Sequence, residues 1–180
     1  MFRPNLIANY FIKKSLETGR EVTPMKLIQL VYVSHGWFIG ITWKELINEA
    51  VQAWKFGPVI PSVYNKFKIF GDQPITFIDD NDTQGWDTEL NATVGLSDLS
   101  NIPEWIKEFL DKIWDSYGKF NGIQLSEMTH NPTTPWYRTW MQEKDKGKKS
   151  VIVPNNEIMQ HYKDLLGKND IARSRLVHAK

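Results

Sequence analysis

Proline stands at the head of nearly every apolar run in this chain, and that placement points to a helical fold. Pro4, Pro24, Pro61, Pro103, Pro135 and Pro154 each precede residues whose apolar members recur three and four positions apart. A proline at the first helical position loses nothing, because its missing N–H would have had no intrahelical partner and its fixed φ is already helical. Thr23 and Thr134, directly before two of these prolines, are hydroxyl N-caps.

The spacing predicts a first helix from Pro4 or Asn5 to Gly19, with Leu6, Ile7, Tyr10 and Phe11 facing the core. A second runs over about 24–39, with Leu27, Leu30, Val31, Ser34 and Phe38 on one face and Ile28 and Tyr32 widening the stripe. Gly36 within it lowers helix stability by about 1 kcal/mol relative to alanine, so a closely packed neighbour such as Trp54 is expected to offset it. A third helix, opened by Pro61-Ser62, covers 63–70 and closes at Gly71. Asn101 is expected to cap a fourth, from near Pro103 to Gly118, and Asn121 a fifth, through about Met128. Thr134-Pro135 opens a sixth carrying Trp136, Tyr137, Trp140 and Met141, and Pro154 opens a seventh ending near Leu166 before a polar tail.

Between 43 and 58 the helical pattern fails, and 50–56 reads as a short extended segment ended by Gly57-Pro58. Residues 72–101 are rich in Asp, Asn, Thr and Gly, with 75–78 as the best strand candidate, and read as an insertion with a small hairpin. The expectation is a mainly α, single-domain helical bundle with a minor short β element. Residues 1–143 form the domain, with the acidic insertion at 72–101. Residues 144–180 supply a charged break, a C-terminal helix and the polar tail.

At 180 residues the chain can bury a sizeable core without cross-links. Cysteine is absent, which excludes disulfides, thiolate metal sites and a cysteine nucleophile. The longest apolar runs fall far short of a membrane span, and no basic flank with an apolar stretch follows Met1. A cytoplasmic protein without membrane contact is expected.

Charge is unevenly spread. Residues 1–70 hold nine Lys/Arg against four Asp/Glu, residues 71–140 four against twelve, and residues 141–180 nine against five. The near-neutral total argues against nucleic acid as the main partner, since phosphate neutralisation supplies most of such affinity. The acidic stretch containing Asp79, Asp80, Asp82 and Asp87 reads either as a solvated loop or as a surface selecting a basic partner.

Chemistry finds little support. His35, His130, His161 and His178 show no paired-ligand spacing, and Ser34-His35 diverge on a helix, so neither a metal site nor a base-activated serine is expected. Asp80, Asp82, Gln84 and Gly85 imitate the start of a calcium loop, but its last position holds Asn91 where a bidentate glutamate belongs. The glycines are scattered singly, without a phosphate-binding loop. No cofactor is expected. The eight tryptophans suit a mixture of core and interface roles.

Two blocks carry a resemblance. One runs from Met25 through Leu27, Leu30, Tyr32, Gly36 and Trp37, and continues as Glu49-Ala50-Val51-Gln52-Ala53-Trp54-Lys55-Phe56-Gly57-Pro58, reaching Pro61 and Tyr64. The other is Leu125-Ser126-Glu127-Met128-Thr129-His130 followed by Pro135-Trp136, with Trp114, Tyr117 and Gly118 before it. Over roughly 5–142 the chain resembles the Panacea domain family, of SocA-like and phage GepA-like antitoxins. The resemblance implies a non-enzymatic antitoxin that neutralises its cognate toxin by direct binding. It leaves two alternatives, an adaptor delivering the toxin to an AAA+ protease or a DNA-binding autoregulator. Trp37, Trp54, Phe56, Gly57, Pro58, Pro61, Tyr64, Thr129, His130, Pro135 and Trp136 are its motif residues, with a structural or partner-binding role.

Overall fold

Each proline-headed run becomes a helix in the computed structural model, which describes residues 1–77, 86–87, 92–93, 99–143 and 146–177. Helix α1 (Pro4–Thr18) ends at Gly19, whose φ of 69° lets its N–H reach the Ser15 carbonyl. Helix α2 (Pro24–Thr42) begins with the Thr23 hydroxyl accepting from the Lys26 N–H and runs one turn past its expected end. It stops at Trp43, which takes the left-handed conformation (φ 62°) usually left to glycine. From Pro24 to Gly40 every residue of α2 except Met25 and Trp37 is buried, so this helix is the axis around which the others pack.

The extended segment is a hairpin. Strands β1 (Gln52–Trp54) and β2 (Gly57–Val59) are antiparallel, with Trp54 opposite Gly57 and Lys55-Phe56 forming the tip. Gly57-Pro58 therefore belongs to the second strand instead of ending the first, and the proline is tolerated because β2 is an edge strand. Helix α3 (Pro61–Phe67) follows, with the Ser62 N–H held by Glu49 Oε1, and passes into a single 3₁₀ turn at Lys68–Phe70.

No strand forms at Ile75–Phe77; Ile75 makes one backbone bond to Val22 and is buried as a single apolar plug, while Ile78 lies outside the described residues. The small hairpin of the insertion is instead β3 (Trp86–Asp87) paired with β4 (Ala92–Thr93). Asp79, Asp80 and Asp82 lie outside the described residues, and of Asp87 only the backbone is described.

Helix α4 (Glu104–Tyr117) has Pro103 at its N-cap position with no side-chain cap, and Asn101, the expected cap, lies in a 3₁₀ turn. It buries Ile106, Leu110, Ile113 and Trp114. Lys26 reaches across from α2 and donates to the Gly118 carbonyl at 2.8 Å, a cation at a helix C-terminus. Helix α5 (Gly122–Thr129) has a full capping box, Asn121 with Gln124. Helix α6 (Pro135–Glu143) leads to β5 (Val151–Ile152), which pairs with the free edge of β1 and gives a three-stranded sheet ordered β2-β1-β5.

Helix α7 (Asn155–Val177) continues past Gly167, where a polar tail was expected. It lies along α2, and Tyr162 is the reason Gly36 and Gly40 are glycines: a Cβ on Gly36 would sit 2.0 Å from the Tyr162 ring. The neighbour that offsets Gly36 is therefore Tyr162, not Trp54. Among the described residues the molecule is a mainly α single domain of seven α-helices with a small three-stranded sheet.

Candidate partner-binding groove

The β1–β2 hairpin offers three backbone carbonyls to the helices around it, and each is bonded by a side chain from a different helix. Trp136 Nε1 of α6 donates to the Trp54 carbonyl at 2.9 Å. Ser126 Oγ of α5 donates to the Phe56 carbonyl at 2.8 Å. Gln29 Nε2 of α2 donates to the Pro58 carbonyl at 3.2 Å. Buried carbonyls demand partners, so these donors fix the hairpin in one position.

The chain at Gly57 takes a backbone conformation that side chains rarely adopt, with close neighbours around it. Its φ is 127°, and a Cβ there would meet Gln29 Nε2 at 3.2 Å and Ser126 Oγ at 3.4 Å. Behind α5, the Thr129 hydroxyl donates to the Ser126 carbonyl at 2.6 Å, and Thr134 Oγ1 bonds the Thr129 carbonyl. The His130 ring bonds the Ser126 carbonyl through Nδ1 at 2.7 Å and rests on Trp136, with ring centroids 4.1 Å apart. Pro135 starts α6 and so places Trp136, which is 2% exposed.

Nine of the motif residues thus converge on one feature. Trp54, Phe56, Gly57 and Pro58 build the hairpin; Thr129, His130, Pro135 and Trp136 brace it; Tyr64 packs edge-on against the Trp54 ring at 4.9 Å. Pro61 contributes by opening α3. Trp37 stands apart, about 12 Å along α2 from Gln29; its Nε1 donates to the Tyr117 hydroxyl and its ring meets Tyr162 at 5.1 Å.

What the hairpin presents outward is a groove of about 520 Å³ between itself, the start of α2 and α3. Ile28 and Gln29 lie deepest, Met25, Val59 and Tyr64 line it, and Phe56, 67% exposed, stands at the lip. Lys55, Lys68 and Lys149 also line it, all exposed. Gln29, Ser126, Met25 and the three lysines escape a motif reading. Gln29, Met25, Lys55 and Ser126 lie inside the quoted blocks, but nothing local says that they meet. Lysines and aromatic rings around an amide suit the holding of another molecule. Among the described residues no group of His, Asp and Glu is placed to hold a metal ion, and no helix is long and apolar enough to cross a membrane.

Comparison with known proteins agrees with the resemblance. Residues 27–137 match the family model described as antitoxin SocA-like, Panacea domain. The chain is 26% identical over 138 residues to Antitoxin SocA of Caulobacter vibrioides (strain NA1000 / CB15N), a match covering 72% of this chain and 66% of that protein. No solved structure matches. Apart from Met25 and Lys26, both blocks that build and brace the hairpin fall within the matched region, and the chain belongs to the SocA-like antitoxin family with a Panacea domain.

Proposed function

We propose that this protein is an antitoxin that neutralises its cognate toxin by binding it directly, without catalysis and in the cytoplasm. The observation that carries the reading is the convergence of the family's motif residues on one braced hairpin beside an open groove. Rigid presentation of a contact surface lowers the entropy lost on association, which favours tight binding. Regulation by DNA binding has less support. Of the four lysines in the charged break, Lys146 and Lys148 both pair with Glu143, and Lys149 lines the groove, while Lys144 lies outside the described residues.

The test starts from a neighbouring small gene that is lethal when expressed alone. Co-expression with this chain restores growth and yields a complex that co-purifies at a fixed ratio. Rescue with no complex, and with loss of the toxin that depends on an AAA+ protease, replaces blocking by delivery. Affinity for the duplex upstream of its own gene is expected at about 10⁻⁴ to 10⁻⁶ M at physiological salt, the non-specific range; nanomolar binding would make it an operator-binding regulator.

A further inference from the structure

The groove beside the hairpin has an apolar interior and a cationic rim, and the two together define an occupant. The interior is carbon from Pro24, Met25, Ile28, Val59 and the Trp54 and Tyr64 rings. Lys55, Lys68 and Lys149 line the groove together, and among the described residues none of the three forms an ion pair with a carboxylate, a state they share with Arg3, Arg20, Lys44, Lys112, Lys119 and Lys163 elsewhere on the surface. The Lys68 ammonium donates to the Asn65 amide oxygen and lies over the Tyr64 ring at 5.7 Å, and the Lys55 ammonium lies over the Phe56 ring at 5.1 Å. Deep in the groove the Gln29 side chain, 2% exposed, gives its N–H to Pro58 and leaves its Oε1 buried without a partner among the described residues. A buried acceptor of that kind is stabilised by a donor entering with a ligand.

We infer that this groove is the docking site for an acidic segment of the partner protein, one that inserts apolar side chains between α2 and the hairpin and sets flanking carboxylates on Lys55, Lys68 and Lys149. The inference deepens the antitoxin reading by naming the contact surface, and rests on it for the partner's being the toxin. Charge complementarity selects the acidic class. Depth selects a peptide over single-stranded nucleic acid: bases need open aromatic faces to stack on, while here the Trp54 ring is covered edge-on by Tyr64 and the interior is largely aliphatic.

The experiment uses the full chain labelled with ¹⁵N and three probes: a synthetic peptide alternating leucine and phenylalanine with glutamate, the same peptide with lysine for every glutamate, and oligo-uridine. The acidic peptide is expected to shift the amide signals of Met25, Gln29, Lys55 and Phe56 in a saturable way, and the lysine peptide to leave them in place. The variant Lys55→Glu/Lys68→Glu/Lys149→Glu keeps the wild-type melting temperature, because all three side chains are exposed, and loses at least about tenfold in affinity for the acidic peptide. Phe56→Ser does the same by removing the apolar lip. Absence of shifts at the groove, equal binding of the lysine peptide, or preference for oligo-uridine would each overturn the inference. So would groove signals that move with protein concentration alone, which would seat a second copy there.

In cells the two readings separate. If wild type fails to protect against the neighbouring gene product, the antitoxin reading falls while the peptide titration still judges the groove. If the charge-reversed variant protects as well as wild type, the antitoxin reading stands and the toxin contact lies elsewhere.

Discussion

Trp54, Phe56 and Trp136 belong to the two family blocks that meet at the hairpin yet differ sharply in surroundings, and their truncation should separate accordingly. Trp136 is 2% exposed and donates a hydrogen bond, so Trp136→Ala is expected to lower stability by about 3–5 kcal/mol in a denaturant titration. Trp54 is only half-buried, with its Nε1 on the neighbouring Gln52, and its loss should cost clearly less. Phe56→Ser at the lip should stay within about 0.5 kcal/mol of wild type. A second residue-scale expectation concerns His35. It is buried on α2 and bonds through Nε2 to Asn155 Oδ1 of α7, whose Nδ2 donates to Glu45, while its Nδ1 is buried without a partner among the described residues. Burial holds its pKa below the ordinary value, and the Asn155 bond and Glu45 charge offset this only in part. The unfolded chain therefore takes up a proton that the folded chain refuses. The stability contribution is fully present above the ordinary value of about 6.5 and is lost as pH falls from there toward the lowered folded value. His161, also lowered by burial, acts in the same sense. Melting temperatures measured from pH 7.5 down to 5.5 should fall for wild type and fall less for His35→Gln; equal slopes would remove His35 from the account.

At the scale of elements, helix starts were legible, as were the ends of α1 at Gly19 and α4 at Gly118, while the ends of α2 and α7 were not. Starts are written locally, in Thr23-Pro24, Asn121 with Gln124, and Thr134-Pro135, where one or two side chains satisfy the first N–H groups. Ends depend on what lies alongside. Helix α7 passes Gly167 and α2 passes Ile39, and in the second case the stop is a tryptophan in a glycine conformation that no pattern announces. Strand β5 was missed because it is two residues long and exists only by pairing with β1, far earlier in the chain. The groove was illegible for the same reason: the motif blocks were plain, but Trp136 and Trp54, bonded to each other, are 82 positions apart. The α2–α7 contact offers its own test. Gly36→Ala should lower the melting temperature although alanine favours helix, because the new methyl would meet the Tyr162 ring. Combined with Tyr162→Ala, the pair should be more stable than the summed single effects by at least about 1 kcal/mol. Additivity would mean that the ring yields to the methyl without cost.

At the scale of the molecule, the packing of α2 extends beyond the family region. The matched segment stops at residue 137, yet α2 has its most extensive contact with α7, which begins at Asn155. A fragment of residues 1–143 would leave Gly36, Gly40 and the surrounding apolar face of α2 in water. It is expected to show helical circular dichroism without a cooperative thermal transition; a sharp transition near that of the full chain would make α7 an ornament. The enclosure of α2 also has a consequence in time. The helix is synthesised early, but its last wall is the penultimate stretch of the chain, so at ordinary elongation rates α2 waits on the order of ten seconds on the ribosome before Tyr162 can cover it. A partner that needs α2 enclosed is met only after α7 has been made. A chain cut short before α7 carries the motif yet leaves α2 uncovered.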